Sequence, residues 1–201
     1  MTLAVASRPT RYLADVIRRS RATDAVLVAL GTAFIVASAT ITIPLPFTPV
    51  PITMSTFAVM ATGAVLGSSR GALSAVLYLA LGAAGAPVFS SGQSGIAIPT
   101  FGYIVGFVAA ALIVGQLARR RADRKVGTTL LLGGLGTIVI YAFGVPWLAA
   151  SLHVDLGRAL VLGVVPFLIG DTVKVLALSA LLPSAWRAVR KVRPDSAGDE
   201  A

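Results

Sequence analysis

The chain has 201 residues, of which 56% are hydrophobic and only 12% are charged. Soluble domains usually carry about 25% charged residues, so this composition excludes an ordinary soluble fold and indicates that lipid is the main solvent. The chain has no cysteine, which excludes disulfides and thiolate chemistry. Its net charge is +9, and its basic residues cluster in the two tails and one loop. This distribution is typical of the cytoplasmic ends of membrane spans and not of a nucleic-acid-binding surface.

The chain begins with a basic segment, residues 1–23, whose apolar residues recur at helical spacing. This pattern predicts either a short amphipathic helix on the inner membrane surface or a disordered tail. The first span follows at 24–43, and alanine recurs along it at every fourth position. Such a stripe of small side chains serves either tight packing within the protein, which the sequence alone favours, or docking of a membrane partner. The stripe consists of Ala25, Ala29, Ala33 and Ala37.

Four prolines within eight residues predict that 43–52 is a stiff, irregular, extended loop. A short second span is expected at 53–67. A turn at 67–71 that contains Arg70 then leads to a third span at 71–85.

The uncharged glycine- and serine-rich stretch 88–95 is predicted to form either a flexible connector or, given its polar side chains and its aromatic residue, a lid or cavity wall. The fourth span is expected at 97–118, before a strongly basic loop at 119–125. The fifth is expected at 127–149, where Trp147 lies at the depth of an aromatic belt.

The sixth span, 157–182, contains Pro166, which predicts a break just above Asp171. Asp171 and Lys174 are the only charges between 159 and 182, and on a helix they share one face. A charge at membrane depth costs about 2.5–3.5 kcal/mol on insertion scales, so such residues usually mark a pathway or binding site. Three interpretations are open: an ion or proton relay, a ligand pocket, and a buried pair that only fixes helix register.

Six spans place both tails on one side, and the positive-inside rule makes that side cytoplasmic. The loops 43–52, 88–95 and 150–157 then converge outside, over the charged pair, and form an outward-facing pocket. This predicts an all-α integral membrane protein in three parts: a basic segment at 1–23, a six-helix substrate-binding domain at 24–183, and a basic then disordered tail at 184–201.

His153 is expected to be a solvated loop residue. No nucleotide-binding loop or membrane-depth histidine is present, so we expect no enzyme activity, no metal and no cofactor.

The ordered series of motifs between 25 and 182 resembles the BioY family, the biotin-binding S components of energy-coupling-factor (ECF) transporters. The motifs are Val50-Pro51-Ile52-Thr53, Leu66-Gly67, Tyr78-Leu79, Gly85-Ala86-Pro87-Val88-Phe89, Pro99-Thr100-Phe101-Gly102-Tyr103-Ile104-Val105-Gly106-Phe107 and Gly170-Asp171-Thr172-Val173-Lys174.

The resemblance implies one biotin held near the outer side of a multi-pass protein of the cell membrane. It implies docking, through the alanine stripe, to a transmembrane T component that couples to two cytoplasmic ATPases. In this reading Asp171 accepts from the ureido N–H groups and Lys174 neutralises it. The other expected ligand contacts are Thr53, Ser55, Gln93 and Ser94 by hydrogen bonds and Phe89 and Tyr103 by packing. The alternatives are an S component for another vitamin, a small ion- or proton-coupled transporter, and a purely structural membrane subunit.

Overall fold

The computed structural model describes residues 11–17 and 20–192. Arg8, Arg18 and Arg19 of the predicted amphipathic segment, together with Arg193 and the predicted disordered tail 195–201, lie outside the described residues. The α-helices of the described part are α1 Arg21–Thr40, α2 Ser55–Leu66, α3 Ser68–Ala83, α4 Phe101–Arg119, α5 Val126–Leu152, α6 Leu156–Gly163 and α7 Leu168–Val192. Short 3₁₀ turns lie at Leu13–Val16, Ser90–Gly92 and Val165–Phe167, and two short strands, β1 Thr42–Ile43 and β2 Ile52–Thr53, pair with each other.

The helices form one bundle in which α4 is central and packs against α2, α3 and α5, while α1 lies on α2 and α3, and α7 lies on α5 and α2. Because α6 and α7 are two parts of one broken segment, the bundle has the six helical segments that the sequence predicts. In the described part of the chain, four stretches are long and apolar enough to cross a membrane: α1, α4, α5 and Leu156–Val192. Large apolar side chains cover the outside, including Leu131 at 74% and Ile169 at 81% exposure. Such a surface is suited to contact with lipid, because monomeric soluble proteins rarely expose large contiguous apolar patches to water.

The predicted turn at 67–71 is wrong, because a single residue, Gly67, separates α2 from α3. Gly67 has φ +88°, a conformation that glycine adopts without steric cost. Arg70 therefore lies within the first turn of α3 instead of in a loop. The ring of Tyr12 lies over the junction, and a Cβ on Gly67 would stand 2.5 Å from its Cε2 atom.

The proline-rich stretch is closed at its ends, which the prediction of an irregular loop missed. Thr42 pairs with Thr53 and Ile43 with Ile52 in an antiparallel register. α1 accordingly ends at Thr40, three residues before the predicted end of the first span. The pairing fixes the start of α2, which begins at Ser55, two residues after the paired Thr53.

Within the described residues, Pro146 and Pro183 lie inside α-helices, and both helices run beyond the predicted ends of their spans at 149 and 182. α5 continues through Pro146 to Leu152, and α7 continues through Pro183 to Val192. Neighbouring helices in a membrane bundle compensate for the missing N–H of proline. At Pro146, α5 is held against the start of α4, since the Nε1 atom of Trp147 donates to the carbonyl of Ile98 at 2.9 Å.

Buried charges tie the elements together at one end of the bundle. Arg70, only 7% exposed, pairs with Asp24 of α1 at 2.7 Å and with Asp15 of the N-terminal turn at 3.4 Å. It is thus a buried ion-pair partner within α3 and not a residue of the predicted turn.

At the same end, Asp123 lies in the α4–α5 loop and is fully buried. It accepts a hydrogen bond from the Nε1 atom of Trp186 on α7 at 2.5 Å, and the Arg124 guanidinium lies 4.2 Å from the centre of the Trp186 ring. Burial raises the pKa of the Asp123 carboxyl above its usual value, against the lowering effects of the Trp186 hydrogen bond and of Arg124.

Candidate ligand-binding site

The site is organised around the break before α7. α6 ends at Gly163, a 3₁₀ turn that contains Pro166 follows, and α7 starts at Leu168, which confirms the predicted break. Asp171 consequently lies in the first turn of α7, where the positive end of the helix dipole stabilises a carboxylate. Lys174 follows one turn later on the same face, as its spacing predicts.

Asp171 and Lys174 form a buried ion pair that faces the interior of the bundle. The Lys174 Nζ atom lies 2.7 Å from the Asp171 Oδ1 atom, and each residue is 6% exposed. Two features of the site argue against a purely structural pair: both side chains line a cavity, and other polar groups converge on them.

Two hydroxyl groups that the sequence analysis did not assign to the site complete this network. The Thr56 Oγ1 atom accepts from Lys174 Nζ at 3.0 Å and donates to Asp171 Oδ1 at 3.4 Å. The Tyr141 hydroxyl of α5 donates to the other carboxylate oxygen, Asp171 Oδ2. The signals were present: Thr56 opens the second span beside Ser55, and Tyr141 is the single tyrosine in an uncharged, glycine-rich span.

The network leaves hydrogen-bonding capacity on both charged groups. A carboxylate offers about four lone-pair sites, and an ammonium group has three donors. Lys174 directs two donors to Asp171 and Thr56, and among the described residues its third has no assigned partner. The pair can therefore accept from a ligand N–H and donate to a ligand oxygen from adjacent atoms.

The cavity beside the pair lies between α2, α4, α5 and α7 and is covered by the strand pair and the Ser90 turn. Its empty space is about 570 Å³ when the open mouth is included. Its walls are mostly apolar or aromatic. The lining residues are Val50, Pro51, Thr53, Ser55, Thr56, Tyr78, Ser90, Thr100, Tyr103, Ile104, Phe107, Ile140, Tyr141, Gly163, Phe167, Asp171 and Lys174.

Tyr103 of α4 lines the cavity next to the helix break. Its hydroxyl donates to the Gly163 carbonyl at 3.0 Å, which satisfies one of the backbone acceptors left free where α6 ends. Its ring meets the Tyr141 ring edge to face, with centroids 6.4 Å apart. Tyr103 thus holds α4, α6 and α5 in a fixed arrangement around the cavity.

The structure brings together five of the eight predicted ligand contacts: Thr53, Ser55, Tyr103, Asp171 and Lys174 line the cavity. Phe89 does not line it. Phe89 is 2% exposed and packs behind the wall against Tyr78, with ring centroids 5.3 Å apart, in a space that Gly82 leaves open.

Gln93 and Ser94 are half-buried and do not line the cavity either; the residue of this loop that does is Ser90. The reason is local folding. The Phe89 N–H donates to the Gln93 carbonyl at 3.1 Å, and Ser91 adopts φ +57°, so the loop closes on itself and directs Ser90 inward.

The alanine stripe of α1 faces outward. Ala25, Ala29, Ala33 and Ala37 are all exposed, whereas Ile35 and Ala39 on the opposite face are fully buried. The tight packing that the sequence favoured for the stripe is therefore wrong within this chain, where the close approach occurs on the other face. There Gly31 leaves room for the Ser74 side chain of α3.

This fold and cavity define a class: a small helical membrane protein with a partly polar cavity between its helices, of the kind found in substrate-binding transporter subunits. The chain belongs to the BioY family, whose profile, described as "BioY family", matches residues 10–191. It is therefore a transporter component and not an enzyme.

Known relatives agree over most of the chain. The chain is 37% identical to the biotin transporter BioY of Rhizobium etli over 79% of its length and 90% of that protein. It is 39% identical to the biotin transporter BioY of Thermotoga maritima over 75% of its length and 88% of that protein. A crystal structure described as the S-component for biotin from an ECF-type ABC transporter has the same fold, with a TM-score of 0.74 and 23% identity over 85% of this chain and 95% of that one.

Proposed function

We propose that this chain captures biotin in the cavity and serves as the biotin-binding S component of an ECF-type transporter in the cell membrane. The observation that carries the proposal is the buried Asp171–Lys174 pair, which lines the cavity of a BioY family member. The names of the relatives in Rhizobium etli and Thermotoga maritima support biotin as the ligand.

The chemistry of the pair matches the ureido ring of biotin. That ring carries two N–H donors and one carbonyl oxygen, and the site offers carboxylate acceptors beside an ammonium donor. Asp171 accepts from the ring N–H groups, while Lys174 neutralises Asp171 and donates to the ring oxygen. A site built for these donors rejects analogues that lack them, because its own buried polar groups would be left unpaired.

The apolar part of biotin fits the rest of the lining. Tyr78, Tyr103 and Phe107 offer aromatic faces to the fused ring system and its sulfur. Thr53 and Ser55 line the same cavity as the charged pair and supply further hydroxyl contacts. Gln93 and Ser94 remain predicted contacts, which requires the loop at 88–95 to shift when the ligand enters.

The experiment is competition binding with purified protein in detergent. Biotin is expected to raise the melting temperature, because a ligand that binds only the native state stabilises it by about 2.7 kcal/mol at 100 times its Kd. Thiamine and riboflavin are expected to leave the biotin isotherm unchanged. Displacement of biotin by either one would indicate an S component for another vitamin. Biotin-independent ion flux in liposomes, without biotin binding, would indicate an ion-coupled transporter.

The distribution of basic residues supports cytoplasmic tails and an outward-facing cavity. Arg119, Arg120, Arg121 and Lys125 lie at the end of the bundle opposite the strand pair, together with the basic end of α7. Since the chain has no cysteine, single substitutions report the orientation. Phe47→Cys is expected to react with an impermeant maleimide in intact cells, and Lys125→Cys only after lysis; the reverse result contradicts this orientation.

The exposed alanine stripe is the proposed docking face for a T component that couples to two ATPases. A bulky side chain there would hold the two helices apart. Ala29→Trp is expected to abolish co-purification with the T component and to leave biotin affinity unchanged. Leu131→Trp, at a position 74% exposed on α5, is the matched control and is expected to retain the complex. Equal co-purification of both variants contradicts this docking face.

A further inference from the structure

A second polar group in the cavity has no role in the Asp171 network. Thr100 is 6% exposed and lines the cavity. Its Oγ1 atom is fully buried, and among the described residues it has no hydrogen-bond partner. Leaving a buried hydroxyl unpaired costs free energy, so an unpaired hydroxyl on a residue that lines the cavity indicates that a ligand supplies its partner.

The position of Thr100 in the chain indicates the charge of that partner. Thr100 is the N-cap residue of α4, a helix of 19 residues, yet its side chain does not cap the helix. The N-terminal end of a helix carries a partial positive charge, which favours an anion. Ser90, 9% exposed, lines the same cavity from the preceding loop and offers a second hydroxyl donor.

The polar groups at Thr100 and Ser90 differ in charge from the Asp171–Lys174 pair on α7. Among the lining residues, Lys174 is the one cation, and it is already engaged with Asp171 and Thr56. Thr100 and Ser90 come from the α3–α4 connection and the start of α4, whereas Asp171 and Lys174 come from α7. The cavity therefore has two polar regions on different elements, one for a neutral donor–acceptor group and one for an anion.

We infer that Thr100, with Ser90 and the N-terminal end of α4, forms a subsite for the carboxylate of the ligand's tail. The inference rests on the proposed function, since biotin carries a ureido ring at one end and a carboxylate at the other. In this arrangement the ureido ring lies at the α7 pair, the aliphatic tail crosses the aromatic wall, and the carboxylate accepts from Thr100.

The test compares biotin with biotinol, in which a neutral alcohol replaces the carboxylate. Hydrogen bonds to a charged group contribute enough for about a 10-fold effect or more on Kd. Wild type is expected to prefer biotin over biotinol by at least this factor. Thr100→Val keeps the shape of the side chain and removes the hydroxyl, and it is expected to lower that preference by about 10-fold.

Thermal unfolding without ligand gives a second readout. Since the Thr100 hydroxyl has no partner within the described structure, Thr100→Val is expected to raise the apo melting temperature while it weakens biotin binding. Thr62→Val is the matched control, because the Thr62 hydroxyl is also buried without a partner among the described residues but lines an apolar groove between α1 and α2. It is expected to leave the biotin-to-biotinol preference unchanged.

The outcomes separate the two proposals. If wild type binds biotin but prefers it equally over biotinol before and after Thr100→Val, the carboxylate subsite is wrong and the proposed function stands. The same conclusion follows if Thr62→Val changes the preference as much, or if the apo melting temperature of Thr100→Val falls. If wild type binds no biotin, both proposals are wrong.

Discussion

Lys174→Met is expected to destabilise the protein strongly, even without ligand. The substitution removes the ammonium group 2.7 Å from Asp171 and leaves a carboxylate that is 6% exposed with the Thr56 and Tyr141 hydroxyls as its remaining partners. Breaking a buried ion pair by removing one partner costs about 3–5 kcal/mol. For a chain of this size each kcal/mol corresponds to about 2–4 °C, so the melting temperature is expected to fall by about 6–20 °C.

The assay is thermal unfolding of the purified protein in one detergent, arranged as a double-mutant cycle. In Asp171→Asn/Lys174→Met the charge that lacked a partner is gone, so the double variant is expected to recover most of the loss. Lys191→Met makes the same change at an exposed position of α7 and is expected to stay within about 0.5 kcal/mol of wild type. The reasoning is wrong if Lys174→Met melts with wild type, or if the double variant is as unstable as Lys174→Met alone.

Two further predictions concern Tyr141 and Asp123. Tyr141→Phe removes the donor to Asp171 Oδ2 and is expected to weaken biotin binding by about 10-fold or more, measured by calorimetry; an unchanged Kd would show that Tyr141 does not orient the carboxylate. Asp123→Asn keeps an acceptor for Trp186 and removes a buried charge. Burial raises the pKa of Asp123 in the folded state, so the folded protein binds this proton more tightly than the unfolded chain does. The stabilisation from the protonated carboxyl is complete below the unfolded pKa of about 4. It is lost as the pH rises through the folded-state pKa. The melting temperature of Asp123→Asn relative to wild type is therefore expected to rise as pH increases from about 4 to 8, and a flat difference would contradict the burial cost.

The sequence predicted correctly those features that depend on the residue type and on its near neighbours in the chain. Asp171 and Lys174 were identifiable because they interrupt an apolar run at helical spacing, and Pro166 marked the helix break because proline has no N–H. The alanine stripe of α1 was predicted to pack within the protein, but it is exposed. A stripe of small residues indicates close packing without showing whether the partner helix belongs to the same chain. The opposite face, with Gly31, makes the internal contact.

The features that did not follow depend on tertiary contacts. Tyr141 meets Asp171 across thirty residues of chain, and no local pattern records that meeting. Phe89 and Ser90 are adjacent in sequence, but Ser90 lines the cavity and Phe89 is buried behind its wall. The conformation of the short turn at these residues determines this difference. The fifth and sixth spans were predicted to end at 149 and 182, but α5 and α7 run through Pro146 and Pro183 to Leu152 and Val192, because a membrane bundle compensates for the N–H that proline lacks.

The most direct test of the central claim is the calorimetric Kd of biotin for wild type and for Asp171→Asn, which keeps the shape of the side chain and removes its charge. Removing one partner of a buried, hydrogen-bonded charge pair costs at least about 2 kcal/mol, so biotin is expected to bind at least about 30-fold more weakly. Asp155→Asn, at the exposed N-cap of α6, is the matched control and is expected to bind as wild type does. Equal affinity of wild type and Asp171→Asn for biotin would contradict the claim that this buried carboxylate holds the ligand.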